Sequence, residues 1–138
     1  MPLFYADTSA LMKVVRREKE SAALDAFLAD ANLIGSELLL AEIPRAAHRV
    51  AASDPEFRLE PLLRRAYEVL DKVALQPLES HLLVGAGALT EPALRALDAI
   101  HVISAVAAHP IDAFVTYDKR QAAAARLAGL RTVAPGYE

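Results

Sequence analysis

The chain has 138 residues, a net charge of −3 and no cysteine. That length suits one domain, and the missing thiols exclude disulfides, thiolate metal sites, iron–sulfur clusters and cysteine nucleophiles. A hydrophobic fraction of 54% excludes a disordered chain, and the charge balance carries no global nucleic-acid signal.

Alanine and leucine supply 50 of the 138 residues, so helix is expected to dominate. No apolar run approaches the ~18–20 residues of a membrane span. The first residues lack a positive n-region and carry Asp7, so a leader peptide is not expected and a cytoplasmic location is the default.

In chain order, Leu3 to Ala6 reads as a buried strand. A helix follows over Ala10 to Arg17, with Ser9 as its expected cap, and a second over Ser21 to Ala29. Asn32 to Gly35 is the second strand. Ser36 then opens a helix to Ala52 in which Pro44 predicts a kink or a break. Leu62 to Val73 is an amphipathic helix, Ala74 to Leu78 a third strand and Ser80 to Ala88 a weaker helix. Thr90-Glu91-Pro92 is expected to open a helix reaching Ala108. A strand ending at Tyr117, a helix from Asp118 to Leu127 stopped by Gly129, and a last strand over Arg131 to Ala134 complete the chain. Short strands alternating with helices predict one α/β domain over residues 1–138, a three-layer α/β/α sandwich around a short parallel sheet.

In an open parallel sheet, ligands bind at the carboxyl ends of the strands. Asp7 follows the first strand, and Asp118 follows the strand that ends at Tyr117. Singly, each reads equally well as a helix cap. Asp98 lies on an apolar stripe with Leu94 and Val102 one turn to either side. A carboxylate there must be paired, to Arg95 or His101, or serve a site, and burial favours the site. Glu42 interrupts a similar stripe but alone reads as a solvated residue. Four carboxylates on four elements repel one another unless a cation joins them. Oxygen donors without thiols suit Mg2+ or Mn2+, ions that support phosphodiester hydrolysis. Nucleotide-cradle and serine-elbow motifs are absent, and His101 reads as a core histidine.

Four sequence stretches, in order and spanning the chain, resemble the PIN domain and within it the VapC-type toxins. They are Tyr5-Ala6-Asp7-Thr8-Ser9-Ala10-Leu11, Ser36-Glu37-Leu38 leading to Ala41-Glu42-Ile43, Leu97-Asp98-Ala99-Ile100-His101, and Phe114-Val115-Thr116-Tyr117-Asp118-Lys119-Arg120 followed by Gly129-Leu130 and Val133-Ala134-Pro135-Gly136. The resemblance implies a metal-dependent endoribonuclease acting on structured RNA such as transfer or ribosomal RNA. It makes Asp7, Glu42, Asp98 and Asp118 the acidic quartet for Mg2+ or Mn2+, with Ser9 and Thr116 as accessory hydroxyls. It also implies a VapB-type antitoxin partner and a homodimer. Pro44 puts the aim of Glu42 in question. Among the basic residues, Lys13, Lys119 and Arg120 are expected to rim the site and meet phosphate, and the others to be ordinary helix surface. The alternative from another class is a non-catalytic module whose acidic pocket binds a basic peptide.

Overall fold

In the computed structural model, which describes residues 1–137, five strands form one parallel sheet in the order β3-β2-β1-β4-β5. The elements run β1 (Leu3–Ala6), α1 (Thr8–Val15), α2 (Ser21–Leu28), β2 (Asn32–Ser36), α3 (Leu39–Ser53), α4 (Leu59–Leu70), β3 (Val73–Gln76), α5 (Ser80–Gly87), α6 (Ala96–Ala107), β4 (Ala113–Val115), α7 (Lys119–Leu127) and β5 (Thr132–Val133). The expected three-layer sandwich is the observed fold.

Side chains alternate across a strand, and two cores follow from that alternation. Phe4 and Ala6 of β1, with Ala113 and Val115 of β4, face a core with Leu11 of α1, Leu24 of α2, Leu39 and Ile43 of α3, and Leu62 and Leu70 of α4. Tyr5 and Phe114 turn the other way, to Val102 and Ala105 of α6 and Ala124 and Ala125 of α7. The central strands are therefore buried on both faces, as their unbroken apolar sequences require.

Several boundaries differ from the expected ones for local reasons. Asp7, not Ser9, caps α1, accepting the Ala10 N–H at 3.0 Å. Ser36 belongs to β2, and α3 starts three residues later after a turn in which Ser36 Oγ accepts the Leu38 N–H. Pro44 does not end α3. It removes one bond, to the carbonyl of Leu40, a residue 50% exposed, and the helix runs through to Ser53. Helix α4 starts at Leu59, which puts Pro61 in the first turn, where its missing N–H costs nothing. Thr90-Glu91-Pro92 does not open a helix. Leu94 N–H closes a turn onto the Glu91 carbonyl, Arg95 is extended, and α6 begins only at Ala96. Gly129 adopts a positive φ of 90° at the end of α7, the stop that its sequence position predicts.

Candidate active site

From β1 the chain builds outward to β2 and β3, then returns to lay β4 and β5 on the other side. The loops leaving β1 and β4 therefore diverge at their carboxyl ends, which opens a crevice at this switch point. Asp7 leaves β1 into it, and Thr116 to Asp118 leave β4. Asp112 sits at the other end of β4, where its carboxylate accepts the Leu3 N–H at 2.8 Å.

Asp7 is 1% exposed. Its Oδ1 accepts from Ser9 Oγ at 2.7 Å and from Ala10 N, and its Oδ2 accepts from Thr116 Oγ1. Ser9 Oγ in turn accepts the Tyr117 N–H at 2.9 Å, and Thr116 Oγ1 accepts the Asp118 N–H at 3.1 Å. Two hydroxyls thus stitch the loop after β1 to the loop after β4 around one carboxylate. Burial pushes the Asp7 carboxyl above its ordinary pKa, and the bonds from Thr116 and Ser9 oppose that.

Asp118 caps α7, its Oδ1 accepting the N–H groups of Arg120 at 2.9 Å and Gln121 at 3.1 Å. Asp98 occupies the first turn of α6 and is half-buried rather than sunk in the core. Burial pushes its carboxyl up first, and the charges of Asp118 and Glu42 add to the rise. Neither Arg95 nor His101 forms the ion pair with Asp98 that its position on the apolar stripe made plausible. His101 instead stands with Nε2 at 2.6 Å from Glu42 Oε1, which also accepts from Thr8 Oγ1 at 2.7 Å. Glu42 lies in the first turn of α3, ahead of Pro44, and faces the crevice with its side chain 18% exposed.

All four acids, with Ser9, line one cavity of about 300 Å³. Glu42, Asp98 and Asp118 also line an adjoining cavity of about 520 Å³. Among the described residues, no three His, Asp or Glu groups converge tightly enough to chelate an ion as they sit. The acids share a cavity, not a closed shell. The donor chemistry still fits a hard divalent cation: carboxylate oxygens are abundant, and the charges of Asp118 and Glu42 add to the rise that burial imposes on Asp98.

The basic residues sort differently from expectation. Lys13 is not at the cavity. Its ammonium is held by Glu20 at 2.8 Å and Glu18 at 3.0 Å. Lys119 stands beside the site, over the Tyr137 ring at 5.6 Å, and Arg120 lines the adjoining cavity. Arg49, which the sequence left as helix surface, lines the cavity of the four acids, and Arg95, weighed there only as a partner for Asp98, lines the adjoining one. Arg49 lies seven residues after Glu42, on the same helix face, a spacing that could have found it. Arg95 carried no such signal, because it precedes its helix. Among the described residues Arg49, Arg95 and Arg120 are free of ion pairs. Gln121 also lines the site, and its amide donates to the Asp98 carbonyl at 3.0 Å, tying α7 to the start of α6.

Comparison with known proteins agrees with this architecture. The PIN domain family model matches residues 4–127. Ribonuclease VapC35 of Mycobacterium tuberculosis is 38% identical over 97% of this chain and 98% of its own. Ribonuclease VapC47 of the same species is 32% identical, again over 97% and 98%. Among solved structures, a chain from the crystal structure of VapBC2 from Rickettsia felis bound to a DNA fragment from their promoter superposes with a TM-score of 0.70 at 13% identity, covering 96% of this chain and 98% of that one. PAE2754 from Pyrobaculum aerophilum gives a TM-score of 0.66 at 18% identity over 96% and 84%. With a family model spanning nearly the whole chain and full-length relatives above 30% identity, this chain belongs to the PIN domain family, among its VapC-type members.

Proposed function

We propose that this protein is a divalent-metal-dependent endoribonuclease, the toxin of a VapBC-type toxin–antitoxin pair, and that it cuts structured RNA, transfer or ribosomal, to stop translation. The observation that carries this reading is the convergence of Asp7, Glu42, Asp98 and Asp118 on one cavity at the switch point of the sheet. The ribonuclease names of its full-length relatives support it.

Asp7, Glu42, Asp98 and Asp118 would hold Mg2+ or Mn2+, which when bound supplies charge neutralisation at the phosphate and activation of water. The chain's own groups do the rest. Ser9 and Thr116 orient Asp7 by donating to its two oxygens. Arg49, Arg95 and Arg120 offer phosphate oxygens the positive charge that the molecule lacks overall. Lys119 lies beside them and extends that rim. Hydrolysis adds water across one P–O bond.

The same acidic cavity suits an arginine offered by an antitoxin tail, so an antitoxin of the VapB type is the expected protein partner and its tail the expected inhibitor. A homodimer and a cytoplasmic location complete the proposal; among the described residues no helix is long and apolar enough to cross a membrane.

The decisive experiment incubates purified protein with total cellular RNA, with Mg2+ or Mn2+ and with chelator, beside Asp98→Asn. Discrete cuts that need metal and vanish in the variant are expected. Cuts that survive Asp98→Asn would remove the acid set from the chemistry. A folded, antitoxin-free protein that binds a basic peptide and cuts nothing would be a non-catalytic binding module instead.

A further inference from the structure

One chain of hydrogen bonds runs from the core into the cavity. Tyr5, at 0% exposure, lies stacked on Phe114 with ring centroids 5.2 Å apart. Its hydroxyl stands 2.9 Å from Nδ1 of His101, which is 1% exposed. The other ring nitrogen of His101 reaches Glu42 Oε1 at 2.6 Å. Burying a phenol and an imidazole in an apolar layer costs solvation that phenylalanine and leucine would not incur, so the bonds are what justify them there.

The partners decide where the protons sit. An ionised carboxylate only accepts, so the nitrogen facing Glu42 carries the proton. An Nε2 lone pair at 2.6 Å from a carboxylate oxygen would be repelled by it. In the neutral imidazole Nδ1 is then an acceptor and needs a donor, which the Tyr5 hydroxyl provides. An ordinary phenol, with a pKa of about 10, is protonated at neutral pH, so Tyr5 has a hydrogen to donate. Ser104 Oγ lies buried beside the Tyr5 hydroxyl, and His101 Nδ1 is the partner that the hydroxyl meets at hydrogen-bond distance. Glu42 Oε1 is thereby occupied twice, by His101 and by Thr8, while Oε2 accepts from no described residue.

We propose that Tyr5 and His101 are a positioning pair for Glu42: the Tyr5 hydroxyl holds His101 in its Nε2–H tautomer, and that N–H pins Glu42 Oε1 so that Oε2 is the oxygen presented to a divalent cation. The proposal rests on the metal site proposed above and deepens it. Ligating carboxylates are commonly oriented by such outer hydrogen bonds, whose loss typically costs about 10–100-fold in metal affinity. In this role both residues act through Glu42 rather than on the substrate.

Two measurements on the full chain test it. In metal-free 15N-labelled protein, long-range proton–nitrogen spectra of the His101 ring should show Nε2 protonated and Nδ1 bare. Mn2+ binding, followed by calorimetry, should weaken about tenfold or more in Tyr5→Phe and in His101→Ala. His101→Gln, whose amide can donate where Nε2 does, should recover much of the affinity. Tyr5→Phe keeps the ring stacked on Phe114, so its melting curve should remain cooperative. A proton on Nδ1, on both nitrogens, or a Tyr5→Phe protein that binds Mn2+ like the wild type would overturn the pair while leaving metal-dependent cleavage intact. Unchanged Mn2+ affinity in Glu42→Gln would overturn the pair at its far end by removing Glu42 from the ligands. Wild-type protein that binds no Mn2+ would instead overturn the metal site itself, and this role with it.

Discussion

At the scale of single residues, the site is electrostatically uncomfortable, and that discomfort is measurable. Asp98 titrates above its ordinary value of 3.8 through burial, then through the charges of Asp118 and Glu42. An acid whose pKa is raised on folding holds its proton more tightly when folded. Its contribution to stability is therefore lost as pH rises from the unfolded value through the folded one. Asp98→Asn should melt higher than the wild type at neutral pH in chelator, with the gain shrinking below about pH 4, where both forms are neutral. Equal melting temperatures at neutral pH would show that neither burial nor the neighbouring acids penalise the charge on Asp98. Lys13 makes the opposite case. It is tied to Glu18 and to the buried Glu20, whose carboxyl it holds below the ordinary range. Lys13→Met should destabilise the fold while leaving the salt dependence of RNA binding unchanged. Arg95→Ala and Arg120→Ala should each weaken binding and reduce the slope of log affinity against log salt by about 0.7–0.9. A change of slope in Lys13→Met alone would return phosphate contact to Lys13.

At the scale of elements, the aim of each acid is set by where its helix starts. Asp7 and Asp118 cap α1 and α7, whereas Glu42 and Asp98 lie in the first turns of α3 and α6. All four helix N-termini point their free N–H groups toward the crevice side of the sheet, which favours negative charge there. The start of α3 depends on a close approach. A Cβ at Gly35 would stand 2.5 Å from Leu39 Cδ1, and Leu39 is fully buried. Gly35→Ala should therefore push the first turn of α3, destabilise the protein by about 1–3 kcal/mol in urea unfolding and lower activity through Glu42. Unaltered stability would mean that Leu39 repacks freely. With Pro44 in α3, the Glu42 amide still bonds the Leu38 carbonyl at 3.0 Å, and the Glu42 side chain lines the cavity.

For the whole molecule, the parallel sheet creates the crevice and the acids make it costly without a cation. Binding to the folded state alone stabilises it, by about 2.7 kcal/mol at a hundredfold excess over the dissociation constant. Saturating Mn2+ should therefore raise the melting temperature of the wild type and do so far less in Asp98→Asn; an equal rise in both would place the ion elsewhere. Much of this was legible in the sequence. Strand–helix alternation determined the layers, and the apolar runs of β1 and β4 determined burial on both faces. Asp7 and Asp118, standing at strand ends, were bound to reach the same edge. Chain order and hydrogen-bonding type suffice for such statements, because both act locally. The helix opening expected at Thr90 is replaced by a local feature too, the turn that Leu94 N–H closes onto the Glu91 carbonyl. Only the tertiary structure decided the rest. That Lys13 pairs with Glu20, that Arg95 lines the cavity with Glu42, Asp98 and Asp118, and that His101 bonds Glu42 rather than Asp98 depend on side chains from different elements meeting across the packed layers. Side-chain pairing of that kind follows from how helices settle on a sheet, which no local pattern encodes.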